Sequence, residues 1–252
     1  MSLPKLAAGG GAALVIASGG YGISTLFNKG MPDYSSISES AKKDKYVDSY
    51  FDYFVSAENN DPWWDWVYKE RYSSKGQTSP GKMFEGVTSG SEGNNSIKVK
   101  CGDVYEKTNN EINTSDTAEN SKYSEADIWR YCTAVNKKPT NIPSEGESEK
   151  YDNGTYGATN KGKLVAVNDA SNDSFWQEQQ RLFFKTEKKS NRSGAHAKGT
   201  SGTFFKDLWN AKKGSLKETC RLAYKELENA TGADKKVHKE DLFKFCSLKG
   251  KE

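Results

Sequence analysis

The chain is poor in the residues that carry most catalysis and most metal binding. It has 2 histidines and 4 cysteines in 252 residues, and no two cysteines are close neighbours. Structural zinc sites draw on Cys-x2–4-Cys spacings or on several His partners, so no metal site is read here. A nucleophile elbow, a phosphate-cradling Gly-x4-Gly-Lys-Ser/Thr loop and a His-Glu-x2-His helix are also missing. Accordingly no catalytic residue and no cofactor is assigned. Apolar residues are scarce as well, at 34% with a mean hydropathy of −0.87, which is little for one large core. Charge of one sign is lacking: 37 basic and 34 acidic residues leave a net +3, with no electrostatic footprint for nucleic acid. The densest basic stretch, Lys185 to Lys198, is rich in Ser and Gly and reads as a solvated loop.

Rings make up part of the apolar shortfall. There are 6 Trp, 13 Tyr and 11 Phe, and an enclosed ring buries roughly 150–250 Å². Small cores built on aromatics and separated by polar loops are the expectation.

One uncharged run stands out, Leu6 to Phe27. At about 1.5 Å per residue, a helix over it just crosses a hydrocarbon core of about 30 Å. Its six glycines weaken a helix in water, whereas lipid enforces the helix and small faces help helices pack. Residues 1–30 are therefore read as an N-terminal membrane anchor, partnered with the membrane through residues 6–27. The alternative is a cleaved signal peptide, with Lys5 ahead of it and a small-residue site at Ala17-Ser18-Gly19. Lys29, Lys42, Lys43 and Lys45 after the run mildly favour keeping the C-terminal part inside. The cysteines point the other way.

Cys101, Cys132, Cys220 and Cys246 sit in contexts that pair up. Ser96, Ile97, Lys98, Cys101 and Tyr105 recur as Ser215, Leu216, Lys217, Cys220 and Tyr224. Asp127-Ile128-Trp129-Arg130-Tyr131-Cys132 recurs as Asp241-Leu242-Phe243-Lys244-Phe245-Cys246. Upstream, Asn60-Asp61-Pro62-Trp63-Trp64 mirrors Asn172-Asp173-Ser174-Phe175-Trp176, and Thr78-Ser79 mirrors Thr200-Ser201. A near-constant offset with small loop insertions is the trace of a duplicated domain. One cysteine of each copy lies in an apolar helical stripe and the other ends a short helix, which favours disulfides Cys101–Cys132 and Cys220–Cys246 over four buried thiols. Disulfides need an oxidising compartment.

The fold class expected is mainly α: an N-terminal transmembrane helix, then two duplicated small helical domains with long polar loops. Residues 31–45 read as a linker, 46–136 as the first repeat, 137–161 as a second linker rich in Pro, Gly, Ser and Asn, and 162–252 as the second repeat. The repeat cores are expected on Trp64, Ile97, Tyr105, Ile128 and Trp129, and on Trp176, Leu216, Tyr224, Leu242 and Phe243. Asp61-Pro62, the Ser174…Gln177 spacing and Ser124…Asp127 predict capped helix starts. Asp127 and Asp241, recurring together, suggest a structural capping role. His238 reads as solvated or capping. Asn-x-Ser/Thr triplets begin at Asn94, Asn113, Asn153, Asn172, Asn191 and Asn229.

The opening Met1-Ser2, the Gly/Ala-rich run ending Ser24-Thr25-Leu26-Phe27, and the Asp-aliphatic-aromatic-x-aromatic-Cys elements resemble uncharacterised paralogous membrane and surface protein families of haemotropic mycoplasmas. The resemblance spans the first 30 residues and the Cys-flanking segments. It implies a membrane-anchored protein with its C-terminal domains outside the cell and a non-enzymatic interaction or antigen role, meeting host cell surfaces or serum proteins. A membrane-tethered hydrolase acting on host material and an intracellular tethered scaffold are the alternatives.

Overall fold

Ser96 and Ser215 start the two helices that carry the first cysteine of each copy. Each hydroxyl accepts a backbone N–H of the first turn, Val99 N at 3.3 Å and Glu218 N at 3.2 Å, which satisfies a donor the helix cannot. The computed structural model describes residues 30–39, 41–74, 79–115, 119–144, 149–185 and 190–252. The anchor expected over 6–27 lies outside them, as does Thr78; no described helix is long and apolar enough to cross a membrane.

The described residues form a mainly helical protein. In the first copy the helices are α1 (Asp61–Val67, continued by a π turn Tyr68–Tyr72), α2 (Ile97–Tyr105) and α3 (Glu125–Cys132). A short α4 (Tyr156–Thr159) opens the second, followed by α5 (Asp173–Phe184), α6 (Phe204–Ala211), α7 (Leu216–Ala223) and α8 (Lys239–Cys246). Among the described residues one two-stranded sheet joins β1 (Ile112–Asn113) to β2 (Tyr123–Ser124) in parallel, with Ile112 opposite Tyr123. On α2 the buried residues are Ile97, Cys101, Val104 and Tyr105, and on α7 Leu216, Cys220 and Ala223. That is the i, i+4, i+7 stripe of a helix with one face inward.

Short extended segments fasten these helices identically in both copies. Ile37 N donates to Phe54 O at 3.0 Å and Val55 N to Cys132 O at 3.2 Å; Ile142 N donates to Leu164 O at 2.8 Å and Val165 N to Cys246 O at 3.0 Å. The buried Asn60 side chain accepts Ser35 N at 2.9 Å and donates to Ser56 O at 2.8 Å. Its counterpart Asn172 accepts Thr140 N at 2.8 Å and donates to Ala166 O at 2.9 Å. The matching bonds therefore begin at Ser35 and Thr140, upstream of 46 and 162. Tyr34, Ile37, Ile142 and Tyr156, all within stretches expected as linkers, are buried. Isolated apolar residues among Pro, Gly and Ser carry no periodicity, so they read as loop.

The helix starts differ from expectation for the same reason. Asn60 and Asn172 hold the N-cap positions of α1 and α5 without a side-chain capping bond, because both amides are committed to the preceding chain. Ser174 falls inside the first turn of α5, so the Ser174…Gln177 box does not form. Asp61 and Asp173 instead pair with Lys98 at 2.8 Å and Lys217 at 2.7 Å, tying α1 to α2 and α5 to α7. Ser124 precedes α3 without a capping bond. Asp127 accepts the loop amide Gly81 N at 2.8 Å, and Asp241 accepts Lys198 N at 2.7 Å, so both aspartates fasten a loop onto their helix.

One hydrophobic core runs through both copies. Tyr131 packs against Tyr72 and Phe84 at 5.5 and 5.1 Å between centroids, and Phe245 against Phe183 and Phe205 at 4.9 and 5.2 Å. Tilted and edge-on pairs of this kind add to the area they bury.

Candidate functional site

The cysteines form two disulfides, Cys101–Cys132 and Cys220–Cys246, with Cα atoms 5.5 and 5.8 Å apart. All four are fully buried. Beside each bond a tyrosine closes the frame. Tyr105 Oη donates to Val55 O at 2.6 Å, with Cys132 O at 3.4 Å, and Tyr224 Oη lies 2.9 Å from Val165 O and 3.1 Å from Cys246 O. Burial pushes both phenols well above their ordinary values. The ten core positions picked from the sequence, Trp64, Ile97, Tyr105, Ile128, Trp129, Trp176, Leu216, Tyr224, Leu242 and Phe243, are all at most 3% exposed. These groups build the frame; none faces open space.

A seam joins the copies, and sequence reasoning missed it. Tyr53 Oη donates to Gln179 Oε1 at 2.7 Å, and Gln179 Nε2 donates to Phe245 O at 3.1 Å. The Tyr53 ring lies 5.7 Å from Phe175. The Tyr34 hydroxyl donates to Glu178. Arg181 grips the Glu178 carboxylate at 2.7 and 2.9 Å and stacks over Tyr34 at 4.8 Å. Buried carboxylates are stable only when paired in this way. Glu178 is spent on the Tyr34 hydroxyl and the Arg181 guanidinium, so it belongs to the scaffold.

Arg192 corrects an expectation. The loop from Lys185 to Lys198 was expected to be solvated, yet Arg192 is 1% exposed; residues 186–189 lie outside the described chain. Its Nε donates to Asp52 of the first copy at 2.6 Å. Nη1 donates to Lys244 O and Ser247 O, and Nη2 to Leu248 O, at 2.7 to 2.8 Å. Gly250 lets the chain pass this guanidinium: its φ is +72°, and a Cβ there would stand 2.7 Å from Arg192 Cζ.

Over this seam opens a cleft of about 440 Å³. The first copy supplies Glu39, Phe51 and Asp52, and the second His196, Lys244, Lys249 and Lys251 along with the Arg192 wall. Asp52 is neutralised by Arg192, and Glu39 accepts the Asn191 amide at 3.2 Å. Lys244, Lys249 and Lys251 are in no ion pair among the described residues. In the first copy the positions corresponding to Lys244 and Lys249 are Arg130, stacked on Tyr131 at 5.1 Å, and the fully buried Val135. Lys251 keeps a lysine counterpart, Lys137, so the position special to the second copy is Lys249.

His238 stands at the N-cap position of α8 without a side-chain capping bond. Asn113 and Asn172 are buried with their amides engaged, which leaves Asn94, Asn153, Asn191 and Asn229 as exposed triplet sites. Comparison of the chain with known families, curated proteins and solved structures finds no match.

Proposed function

We propose that this chain is a membrane-anchored extracellular surface protein with a non-enzymatic interaction or antigen role, tethered through residues 6–27. One observation carries the reading. What the two copies share is frame: the disulfides, Tyr105 and Tyr224 on paired carbonyls, Asn60 and Asn172 on the preceding chain, and Asp127 and Asp241 on loop amides. What differs is surface. Between Tyr72 or Phe183 and the cysteine helix, the first copy has a 3-10 turn, Lys82–Phe84, and a polar loop, while the second has α6. A duplicated frame with divergent loops suits the display of two different surfaces, whereas an active site gathers unlike acids and bases around one reacting position. The disulfides support the extracellular side, because such bonds persist under oxidising conditions.

Protease treatment of intact cells followed by immunoblotting tests the placement; the expected result is loss of the described domains. Sedimentation of the full-length chain with membranes after alkaline extraction tests the anchor. Binding to host cells or serum antibody without turnover of hydrolase substrates is expected. Turnover that survives purification and vanishes on replacing one acidic residue overturns the non-enzymatic reading.

A further inference from the structure

The cleft over the seam is where the copies part at Lys249: Lys244 and Lys251 have basic counterparts in Arg130 and Lys137, whereas Lys249 has none. Three lysines, Lys244, Lys249 and Lys251, line it without an ion-pair partner among the described residues. They outnumber Glu39, the only lining carboxylate not matched by a guanidinium. Where the second copy places Lys249, the first buries Val135, so neither the fold nor the duplication demands a lysine there. Cations on a concave, partly apolar wall concentrate positive potential within it.

We propose that this cleft binds a small phosphate-bearing anion on the ammonium groups of Lys244, Lys249 and Lys251. Its volume of about 440 Å³ lies within the roughly 300–1,000 Å³ of small-molecule sites. Phosphate suits the lining better than a planar carboxylate does. Carboxylate recognition favours the arginine fork, and the one guanidinium here, Arg192, spends Nε, Nη1 and Nη2 on Asp52 and three carbonyls. Lysine serves phosphate as a mobile point charge. Phe51, on the first copy's side, gives an apolar surface for the organic part of such a ligand. Because the walls come from both copies, the site exists only while the seam is closed.

The proposal rests on the reading of the chain as a binding protein; its test is scored apart from host-cell and antibody binding, so either can fail alone. The full-length chain in detergent is titrated calorimetrically with inorganic pyrophosphate at low ionic strength, where surface charge is least screened. Saturable one-to-one binding is expected, at least tenfold weaker in K249A/K251A and unchanged in K161A/K225A, which removes two exposed lysines outside the cleft. Unaltered thermal unfolding of K249A/K251A shows that the loss is local. Displacement of pyrophosphate by phosphatidylglycerol dissolved in the same detergent micelles assigns the site to a lipid headgroup, and indifference to it assigns it to a soluble phosphate. Absence of saturable binding up to millimolar pyrophosphate, or an equal loss in K161A/K225A, overturns the proposal.

Discussion

Arg71 and Arg192 place their guanidinium groups on corresponding carbonyls of the two copies from backbone positions that do not correspond. Arg71 donates to Arg130 O, Thr133 O and Ala134 O at 3.0, 2.6 and 3.2 Å; Arg192 donates to Lys244 O, Ser247 O and Leu248 O. The acceptors lie 114 residues apart throughout, yet Arg71 lies in the turn that continues α1 while Arg192 comes from a loop well beyond α5. The requirement is set by the chain after the cysteine helix. As it leaves α3 or α8 it buries carbonyls that need donors, and a fork-shaped, permanently charged donor group serves several at once. Burial pushes the Arg71 guanidinium down to about 9, still charged at neutral pH.

Replacing Arg192 by Lys keeps the charge and loses the fork. A single ammonium cannot reach Asp52 and three carbonyls together, so buried acceptors lose their partners at about 1–3 kcal/mol each. Some of that is recovered by local shifts, and R192K is expected to cost roughly 2–4 kcal/mol in urea unfolding. R192M, which also strands Asp52, should cost more. A change below 0.5 kcal/mol in both would deny the arginine its structural role.

The two disulfides close loops of 31 and 26 residues. Removing each as a Cys-to-Ala pair should cost roughly 3–4 kcal/mol through the unfolded chain. Non-reducing peptide mapping should recover Cys101 with Cys132 and Cys220 with Cys246, and full burial should make both slow to reduce without denaturant. Four freely alkylated thiols in native protein would contradict the frame.

The parts of this fold that were legible share one property: their signal is local. Cys101 and Cys220 sit in apolar stripes whose partners lie within eight residues, so duplication and helix could be read together. Arg192 was illegible because its partners lie 52 to 56 residues away in its own copy and 140 away in the other. In a Ser/Gly-rich segment a lone arginine looks solvated. Tyr34 and Tyr53 were equally hidden, since the groups they serve, Glu178 and Gln179, are 144 and 126 residues distant. Two of the cleft lysines, Lys249 and Lys251, lie in a Lys-Gly-Lys run that reads as exposed chain, and the third, Lys244, lies on α8. Thr133 and Ser247 did leave a usable signal, a hydroxyl directly after the second cysteine in both copies. Each bonds the carbonyl four residues back, at 2.6 and 2.7 Å.

Asp127 and Asp241 give the stability a pH dependence of unusual sign. Burial raises both carboxyls above their ordinary value of 3.8, against the pull of the Gly81 and Lys198 amides. In the window from 3.8 up to the raised values, the folded chain holds more protons than the unfolded one. Stability contributed by these groups therefore falls as pH rises through that window and stays lost above it. Asn at both positions keeps an oxygen for the loop amide and removes the charge. D127N/D241N should gain on the parent chain between pH 3.5 and pH 7, read as urea midpoints, with the smallest difference at the acid end. A difference that does not vary with pH would count against the assignment.

Tyr131 carries a hydroxyl that the fold does not use. Its Oη is buried with no hydrogen-bond partner among the described residues, and burial pushes the phenol up to about 12. The second copy has Phe245 at this position, packed on Phe183 and Phe205 as Tyr131 is on Tyr72 and Phe84, so the surroundings of this ring tolerate a hydrogen there. An unsatisfied buried hydroxyl costs free energy that deletion returns, while the ring and its contacts with Tyr72 and Phe84 remain. Y131F is therefore expected to be neutral or to stabilise by about 1 kcal/mol. Y105F and Y224F should move the other way by about 1–3 kcal/mol, because each strands a buried carbonyl beside a disulfide. All three substitutions remove the same atom from a buried tyrosine, so urea unfolding separates hydroxyls that hold the frame from one that does not. A loss in Y131F equal to that in Y105F would mean that the Tyr131 hydroxyl has an acceptor after all.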